Sequence, residues 1–582
     1  MSKTSPAPIP TRGRVDSEVG VSDTADQNSY DDYQLPLQVP NMTRSTSNVN
    51  IAPQASASEN PQPQIAQAPN PTQSGTNGDK LVIVMVGLPA RGKTYIARKI
   101  AHYFRFFHGA PAEVYNVGNY RRQISGAQQS ADFFDVKNDD AMVARQQAAE
   151  AAMGALKEFI CKGNEVGRVG IYDATNTTRD RRSWILEELK SVVHSKSHVV
   201  FVEIICTDDS VIDNNIRAVK TTMPDYQGQD PEEAVRDFRE RIANYKSVYQ
   251  PLEDETLSFI KLYVSTCYVT VKDNNTTVIK SFNVFILIAT HGCVPPAPLL
   301  FSMSYCLIVL LSYCLIVSLC VFRYDEGRKV TANNIRGSLQ STVLQFMLSL
   351  HNTPRPIYLS RHGQSQYNVL GKVGGDSDLS GAGEEYATSL ADFARENILD
   401  LSSVGEHLLP RCNPKHTRLW TSSLRRTINT ARHISHNVQE NDGWVTMRPR
   451  VWNNLDELYA GIFDGLTYDE IRSRAPEEFA QRQQNKLSYR YPRGESYLDV
   501  IARLDQLIHE LERQHDPVLI VAHQGILRIV YAYMMGVERE KAPFVKIPLN
   551  TVIKLVPGAY GCREERICLI PGAVASQEQP SH

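Results

Sequence analysis

Apolar runs that end in polar residues alternate with amphipathic stretches over two long regions of the chain. The run LVIVMV (81–86) is followed by YIARKIAHYF (95–104). The first reads as a buried parallel strand and the second as an amphipathic helix. A helix-like stretch runs from about Asp139 to Lys162. The apolar head of RVGIYDATNTTRDRR (168–182) reads as a second parallel strand, a helix follows from Arg181, and SHVVFVEIIC (197–206) reads as a third strand. This alternation predicts a parallel sheet covered on both faces. Farther on, RPIYLSRHGQSQYN (355–368) and VLIVAHQGILRIV (518–530) each run from an apolar strand into a histidine, His362 and His523.

Two segments break the pattern. Residues 1–78 are rich in Pro, Ser, Asn, Gln, Thr and Ala, and cannot bury enough surface to offset their ordering entropy, so a disordered tail is expected. A short tail is also expected at 571–582. The stretch LLFSMSYCLIVLLSYCLIVSLCVF (299–322) carries no charge and is long enough to span a bilayer.

With 582 residues the chain should hold more than one domain. Lys and Arg number 62 against 64 Asp and Glu, with no basic arm or acidic tail. Small molecules are therefore expected as partners, and no nucleic acid. Ten cysteines in so long a chain do not suggest a disulfide framework. Residues 1–30 hold no apolar signal-peptide core, which makes a cytoplasmic protein the default expectation.

Chemistry clusters at the ends of the apolar runs. Gly87-Leu88-Pro89-Ala90-Arg91-Gly92-Lys93-Thr94 has the G-x-x-x-x-G-K-T spacing of a phosphate-binding loop, in the strand–loop–helix context that such a loop needs. The glycines let successive N–H groups turn toward phosphate oxygens, and the helix N-terminus adds its positive end. Lys93 would reach the β- and γ-phosphates and Thr94 would hold Mg²⁺. Asp173 stands at the end of a strand, where nucleotide-binding folds place an acid that supports the metal. In the second region, Arg361-His362-Gly363 is joined by LWTSSLRRTINTA (419–431), LDELYAGIFDG (455–465) and His523. Two histidines at two strand ends, with arginines and an acid, form a phosphate-transfer constellation.

The segments GLPARGKTYIARK, NVGNYRR, YDATNTTRDRR, NNIRAVK, PDY and RIANYKSVYQPL resemble the kinase half of the 6-phosphofructo-2-kinase/fructose-2,6-bisphosphatase family over about residues 80–262, resuming near Gly327. Residues 355–570 resemble the histidine phosphatase superfamily and, within it, the bisphosphatase half of that same family. The resemblance implies an α/β protein of two tandem three-layer domains, a phosphate-loop kinase at 79–353 and a histidine phosphatase at 354–570. It implies synthesis of fructose 2,6-bisphosphate from fructose 6-phosphate and ATP with Mg²⁺, hydrolysis of its 2-phosphate, and so control of glycolysis and gluconeogenesis. It also implies a homodimer. In the kinase half it places ATP at Gly87–Thr94 and from Asn215 to Lys220, with Lys220 directed at the transferring phosphoryl group. Fructose 6-phosphate would be held by Arg121, Arg122, Arg145, Thr175, Arg181, Arg241 and Tyr245. Cys206 matches a cysteine near that site, and reads equally well as a small buried apolar residue. In the phosphatase half His362 would be the nucleophile. Arg361, Arg426 and His523 would surround the transferred group and neutralise its charge. Asn368 would add a hydrogen bond, and Glu457 would protonate the leaving alkoxide. Contacts to the sugar and its second phosphate carry over to Gly375, Tyr468, Arg482, Lys486, Tyr497, Gln524 and Arg528. Gln364 stands where many relatives carry Glu, and 400–417 reads as a loop insertion.

The resemblance stops from about Ser265 to Glu326. That stretch repeats SYCLIV and holds five of the ten cysteines, Cys267, Cys293, Cys306, Cys314 and Cys320. It can be read as a membrane span, as a core helix, or as sequence foreign to the working protein. A single span would put the two catalytic halves on opposite sides of a membrane, and the family fold closes without a further core helix. The third reading is therefore favoured, and a direct join of Val264 to Gly327 is expected to restore a continuous family segment. Two other functions compete: a kinase of another small substrate fused to a mutase-like phosphatase, and a non-catalytic membrane-tethered regulator. The sugar-contacting residues argue against the first. Intact Lys93, Asp173, His362, Glu457 and His523 argue against the second.

Overall fold

A computed structural model of the chain describes residues 80–135, 137–162, 167–193, 198–217, 223–264, 320–324, 328–350, 355–399, 416–438, 445–558 and 561–570. Lys220, both expected tails and residues 265–319 lie outside them, as does most of 400–417.

Strands β1 (Lys80–Val86), β2 (Ala112–Asn116), β3 (Arg168–Asp173), β4 (Val199–Cys206), β5 (Phe259–Val264), β6 (Cys320–Tyr324) and β7 (Arg328–Asn333) form one sheet in the order β2-β3-β1-β4-β5-β7-β6. The five strands from β2 to β5 are parallel, and β7 and β6 close one side antiparallel. In β1, Leu81–Val86 are all buried, as a strand covered on both faces requires. The chain leaves β1 toward β2 and β3 on one side and later reaches β4 on the other. The crevice outside the ends of β1, β3 and β4 is thus a topological switch point, where open α/β sheets bind ligands.

The sequence reading gave no element to 113–116, because β2 is a short edge strand with an exposed Glu113 and no apolar run. The first helix spans Lys93–Tyr103 and continues as a π-helical turn over Phe104–His108. The helix expected from Arg181 begins at Arg179, because the Thr178 side chain accepts the Arg181 N–H as its cap.

The second sheet contains β8 (Ile357–Arg361), β9 (Arg418–Thr421), β12 (Pro449–Val451), β13 (Val518–Ala522), β14 (Thr551–Gly558) and β15 (Gly561–Cys568), in the order β12-β9-β13-β8-β14-β15. The first four neighbours in that order are parallel, and β14 and β15 are antiparallel. Two short strands, β10 (Asn437–Val438) and β11 (Val445–Thr446), pair separately. β13 is fully buried at the centre, which again matches its unbroken apolar run.

The two sheets share one continuous apolar core. Helix Lys93–Tyr103, which starts at the phosphate loop, meets helix Ser338–Ser349 where Tyr103 stacks on Phe346 with ring centroids 4.1 Å apart. The Tyr103 hydroxyl donates to Asp505 on helix Tyr497–Arg513 (2.8 Å). Lys99 donates to Glu512 on the same helix (2.5 Å), which also accepts from Tyr533 (3.1 Å) and faces Arg355 at 3.7 Å.

The register of β5 and β7 bears on the stretch set apart above. Val264 pairs directly with Arg328. A direct join of Val264 to Gly327 would leave one residue between paired residues, whereas the tightest common hairpin loop has two. The register therefore asks for a join at Glu326, with Glu326-Gly327 as the loop. The end of the chargeless run, from Cys320, lies in β6 on the sheet edge. Among the described residues no helix is long and apolar enough to cross a membrane.

Candidate functional sites

The phosphate loop takes the backbone shape that its glycines permit. Gly87 has φ 132° and Gly92 φ 89°, in the region that favours glycine. A Cβ on Gly87 would lie 2.6 Å from the Ile204 carbonyl oxygen of β4, so the loop can pass over the sheet only as glycine. Gly87 N–H donates to the Thr175 carbonyl beyond β3 (2.9 Å). Lys93 folds back to donate to the Leu88 carbonyl (2.7 Å), and Asn215 donates to the Ala90 carbonyl (3.0 Å).

The loop forms one wall of a cavity of about 450 Å³. Pro89–Thr94, Asn215 and Asp173 line it, and so do all seven residues expected to hold a sugar phosphate: Arg121, Arg122, Arg145, Thr175, Arg181, Arg241 and Tyr245. Gly87 and Leu88, the other two loop residues, do not line it. Cys206 is also absent from the cavity wall. It is buried at the end of β4, burial pushes its thiol pKa up, and it matches the small apolar reading better than a reactive one. Asp173 is buried and accepts from Asn116 (2.6 Å). With the Thr94 hydroxyl it brings hard oxygen donors to the same cavity, a set that suits Mg²⁺. The described residues hold no group of three or more His, Cys, Asp or Glu that could cage a metal without substrate oxygens.

The second site forms where strands end side by side. β8 and β13 pair with Arg361 opposite Ala522, which places His362 and His523 next to each other with ring centroids 5.2 Å apart. His362 Nδ1 lies 2.7 Å from the Gly363 carbonyl. A carbonyl only accepts, so Nδ1 carries the proton and Nε2 keeps its lone pair. Burial, with the positive charges of Arg426 and Arg361, holds the His362 pKa well below its usual value. His523 Nδ1 accepts from Arg426 Nε (3.2 Å), so its Nε2 carries the proton and donates to Ser422 Oγ (2.7 Å). Burial and the same cations depress its pKa too. A neutral His523 does not supply the positive charge expected of it, and its one N–H is held by Ser422; the cations beside it are Arg361 and Arg426. Arg361, with its pKa lowered by burial to about 10, remains a cation at neutral pH.

Glu457 accepts from the Leu458 N–H (2.9 Å), and a Cβ on Gly525 would lie 2.6 Å from its Oε1. Glycine at 525 thus allows the carboxylate to approach the helix that starts beside His523. Arg528 donates to the Tyr497 hydroxyl (3.2 Å), and Arg482 donates to Tyr468 (3.0 Å) and Tyr491 (2.7 Å). The Gly375 carbonyl accepts from Arg426 (2.5 Å). Lys486 lies over the Phe544 ring, and burial beside Arg528 and Arg482 lowers its pKa to about 8. Gln524 is the first residue of the helix after His523. Asn368 is exposed and its side-chain oxygen caps its own short helix, accepting from Ser365. Gln364 accepts from Ser380 (2.9 Å), a structural bond that needs no charge.

The sequence reading left several supporting residues unassigned. Ser422, which holds His523, stands directly after β9, the same strand-end signal that marked both histidines. Asp464 accepts the Gly375 N–H (3.0 Å) and so fixes a glycine with φ 65°. Asp225 lies within PDY (224–226), where the sequence alone assigns it no role.

Comparison with known proteins follows the same division. The 6-phosphofructo-2-kinase family model matches residues 69–293, and that of the histidine phosphatase superfamily (branch 1) matches 357–569. A 6-phosphofructo-2-kinase/fructose-2,6-bisphosphatase of Gallus gallus is 36% identical over 505 residues, covering 86% of this chain and 87% of its own. Proteins named 6-phosphofructo-2-kinase/fructose-2,6-bisphosphatase 3 are similar at 37% in Rattus norvegicus and 36% in Homo sapiens. Each match covers 86% of this chain, with 74% and 79% of the relatives.

Proposed function

This chain belongs to the 6-phosphofructo-2-kinase/fructose-2,6-bisphosphatase family, and from that premise we propose that it both makes and hydrolyses fructose 2,6-bisphosphate. We assign synthesis to residues 79–353 and hydrolysis to 354–570. The observation that carries the reading is the presence, in one chain, of an arginine-lined phosphate-loop cavity and a neutral, oriented histidine in the field of two arginines.

In the first site the 2-hydroxyl of fructose 6-phosphate attacks the γ-phosphorus of ATP, the bond to the β,γ-bridging oxygen breaks, ADP leaves and the hydroxyl proton is released to water. The chain's contribution is mainly positioning and charge. Lys93 and the loop N–H groups take up charge on the ATP phosphates, while the arginines hold the sugar phosphate. Lys220 joins them in this reading. Thr94 and Asp173 would hold Mg²⁺, which supplies further neutralisation when bound.

In the second site His362 Nε2 attacks the 2-phosphorus and the bond from phosphorus to the sugar oxygen breaks. Glu457 gives that oxygen a proton. Arg361 and Arg426 hold the transferred group, and His523, with its Nε2–H given to Ser422, orients Arg426 by accepting from its Nε. Glu457 then takes a proton from water as the water oxygen displaces His362 from phosphorus, releasing inorganic phosphate. Tyr497, Arg528, Arg482 and Lys486 surround the sugar and its other phosphate. A homodimer in the cytoplasm completes the proposal, on the strength of the resemblance.

The test uses the purified chain with ATP labelled at the γ-phosphate and fructose 6-phosphate. Label should pass to the sugar 2-position and then to inorganic phosphate. Transfer to another small substrate, with fructose 6-phosphate inert, would favour the competing kinase reading.

A further inference from the structure

Asp225 is 2% exposed, in a single 3₁₀ turn (Pro224–Tyr226) on the cavity wall. Three arginines that begin on two different helices converge on its carboxylate. Arg121 Nη2 donates to both oxygens, at 2.6 and 2.7 Å. Arg122 Nη1 reaches Oδ2 at 3.4 Å, and Arg241 Nη1 lies 3.6 Å from the same oxygen. Burial alone would raise the Asp225 pKa, but the three guanidinium groups outweigh it and hold the carboxyl ionised. Phe134 backs the cluster, with the Arg241 guanidinium 3.6 Å and that of Arg121 5.4 Å from its ring centroid. Asp237 fixes the turn by accepting from the Tyr226 hydroxyl (2.6 Å) and from Ala131 N–H (2.7 Å).

This arrangement is unfinished in two ways. Arg121 Nη1 and Arg241 Nε are buried without a hydrogen-bond partner among the described residues. Such donors are unfavourable unless something accepts from them. The charges are also unbalanced. Three guanidinium groups converge on one carboxylate, which leaves positive charge in excess at this wall, the complement of a phosphate monoester, which carries about −1.5 to −2 at neutral pH. Without the carboxylate, three like charges would repel one another and lose their common orientation.

We propose that Asp225 is the positioning residue of the sugar-phosphate subsite: its carboxylate gathers Arg121, Arg122 and Arg241 into one phosphate-binding fork. It sets affinity for fructose 6-phosphate and makes no contact with the reacting atoms. The inference rests on the proposed identity of the cavity as the fructose 6-phosphate site.

The test compares steady-state kinetics of Asp225→Asn, Asp225→Glu and Arg121→Ala in the full chain. Asp225→Asn should raise KM for fructose 6-phosphate about tenfold or more, as expected when a buried guanidinium loses its carboxylate. KM for ATP and the phosphatase activity of the same preparation should stay within about twofold, because neither site uses this pair. Asp225→Glu should recover part of the affinity. Should Asp225→Asn impair folding of the kinase half, seen as lost binding of a fluorescent ATP analogue, Asp225→Asn combined with Arg122→Gln decides. It removes one charge of each sign and should restore nucleotide binding and part of the sugar-phosphate affinity; no recovery overturns the proposal. If Arg121→Ala raises KM for fructose 6-phosphate and Asp225→Asn leaves it unchanged, the role of Asp225 is wrong while the site stands. If neither variant changes it, the cavity is not the sugar-phosphate site, and the functional reading of the cavity fails as well.

Discussion

A histidine attacks phosphorus only through an unprotonated nitrogen, so the charge state of His362 decides what the second site can do. An ordinary histidine would be half protonated near pH 6.5. Burial, followed by Arg426 and Arg361, moves His362 well below that. The depressed pKa means that the neutral form persists as pH falls through 6.5 and is lost only in much stronger acid. Phosphoenzyme formation from an activated aryl phosphate, whose leaving group needs little protonation, should therefore show no acid limb near pH 6.5. Rapid-quench rates, corrected for the substrate's own ionisation, should stay flat from about pH 8 to about pH 5.5. A loss of rate centred on 6.5 would contradict this reading of His362. The residue itself was legible in the sequence, since an apolar run ending in Arg-His-Gly marks a strand end with chemistry on it. Its tautomer and the neutrality of His523 were not. They depend on the Gly363 carbonyl and on Arg426 and Ser422, which only folding brings to the rings.

At the scale of elements, the strands buried on both faces were the easiest to read. β1, β3, β4, β8 and β13 are continuous apolar runs because both of their faces are covered. β2 was missed because an edge strand faces water, and β14 and β15 because antiparallel strands beside an edge carry polar residues, such as Lys554 paired with Glu565. The pairing of β5 with β7 was also hidden, since 63 positions separate Val264 from Gly327 in sequence numbering while Val264 and Arg328 are direct partners. That register supplies a prediction. Deleting 265–325, so that Glu326-Gly327 forms a two-residue loop, should give a protein with both activities, and the six strands left in the first sheet keep β1, β3 and β4 intact. Deleting 265–326, with Gly327 alone in the loop, should melt at a lower temperature, because a one-residue loop strains the pairing at Val264. Thermal unfolding and both assays check this. Loss of kinase activity in the 265–325 deletion would show that the stretch is needed for the fold.

For the whole molecule, the sequence divided the chain into two successive halves and gave no sign of what joins them. The joint is made of residues that look ordinary in sequence: Lys99, Tyr103, Arg355, Asp505 and Glu512, with Phe346 stacked on Tyr103. Glu512 is buried among Lys99, Arg355 and Tyr533, and such a network holds its partners in one register only while every member is present. Even so, the two sites remain separate sets of residues on separate sheets. On this reading one chain carries two independent phosphoryl-transfer sites. The most direct measurement assays Lys93→Met and His362→Ala for both reactions in the same preparations. Lys93→Met should lose about 10²-fold or more of the synthesis rate and keep hydrolysis within about twofold, because it removes one charge from a phosphoryl-transfer site. His362→Ala should retain synthesis, lose hydrolysis, and no longer trap label from substrate labelled at the 2-phosphate. A folded Lys93→Met protein that has lost both reactions would show that the two sites are not independent, and label still bound to His362→Ala would show that another residue is the nucleophile.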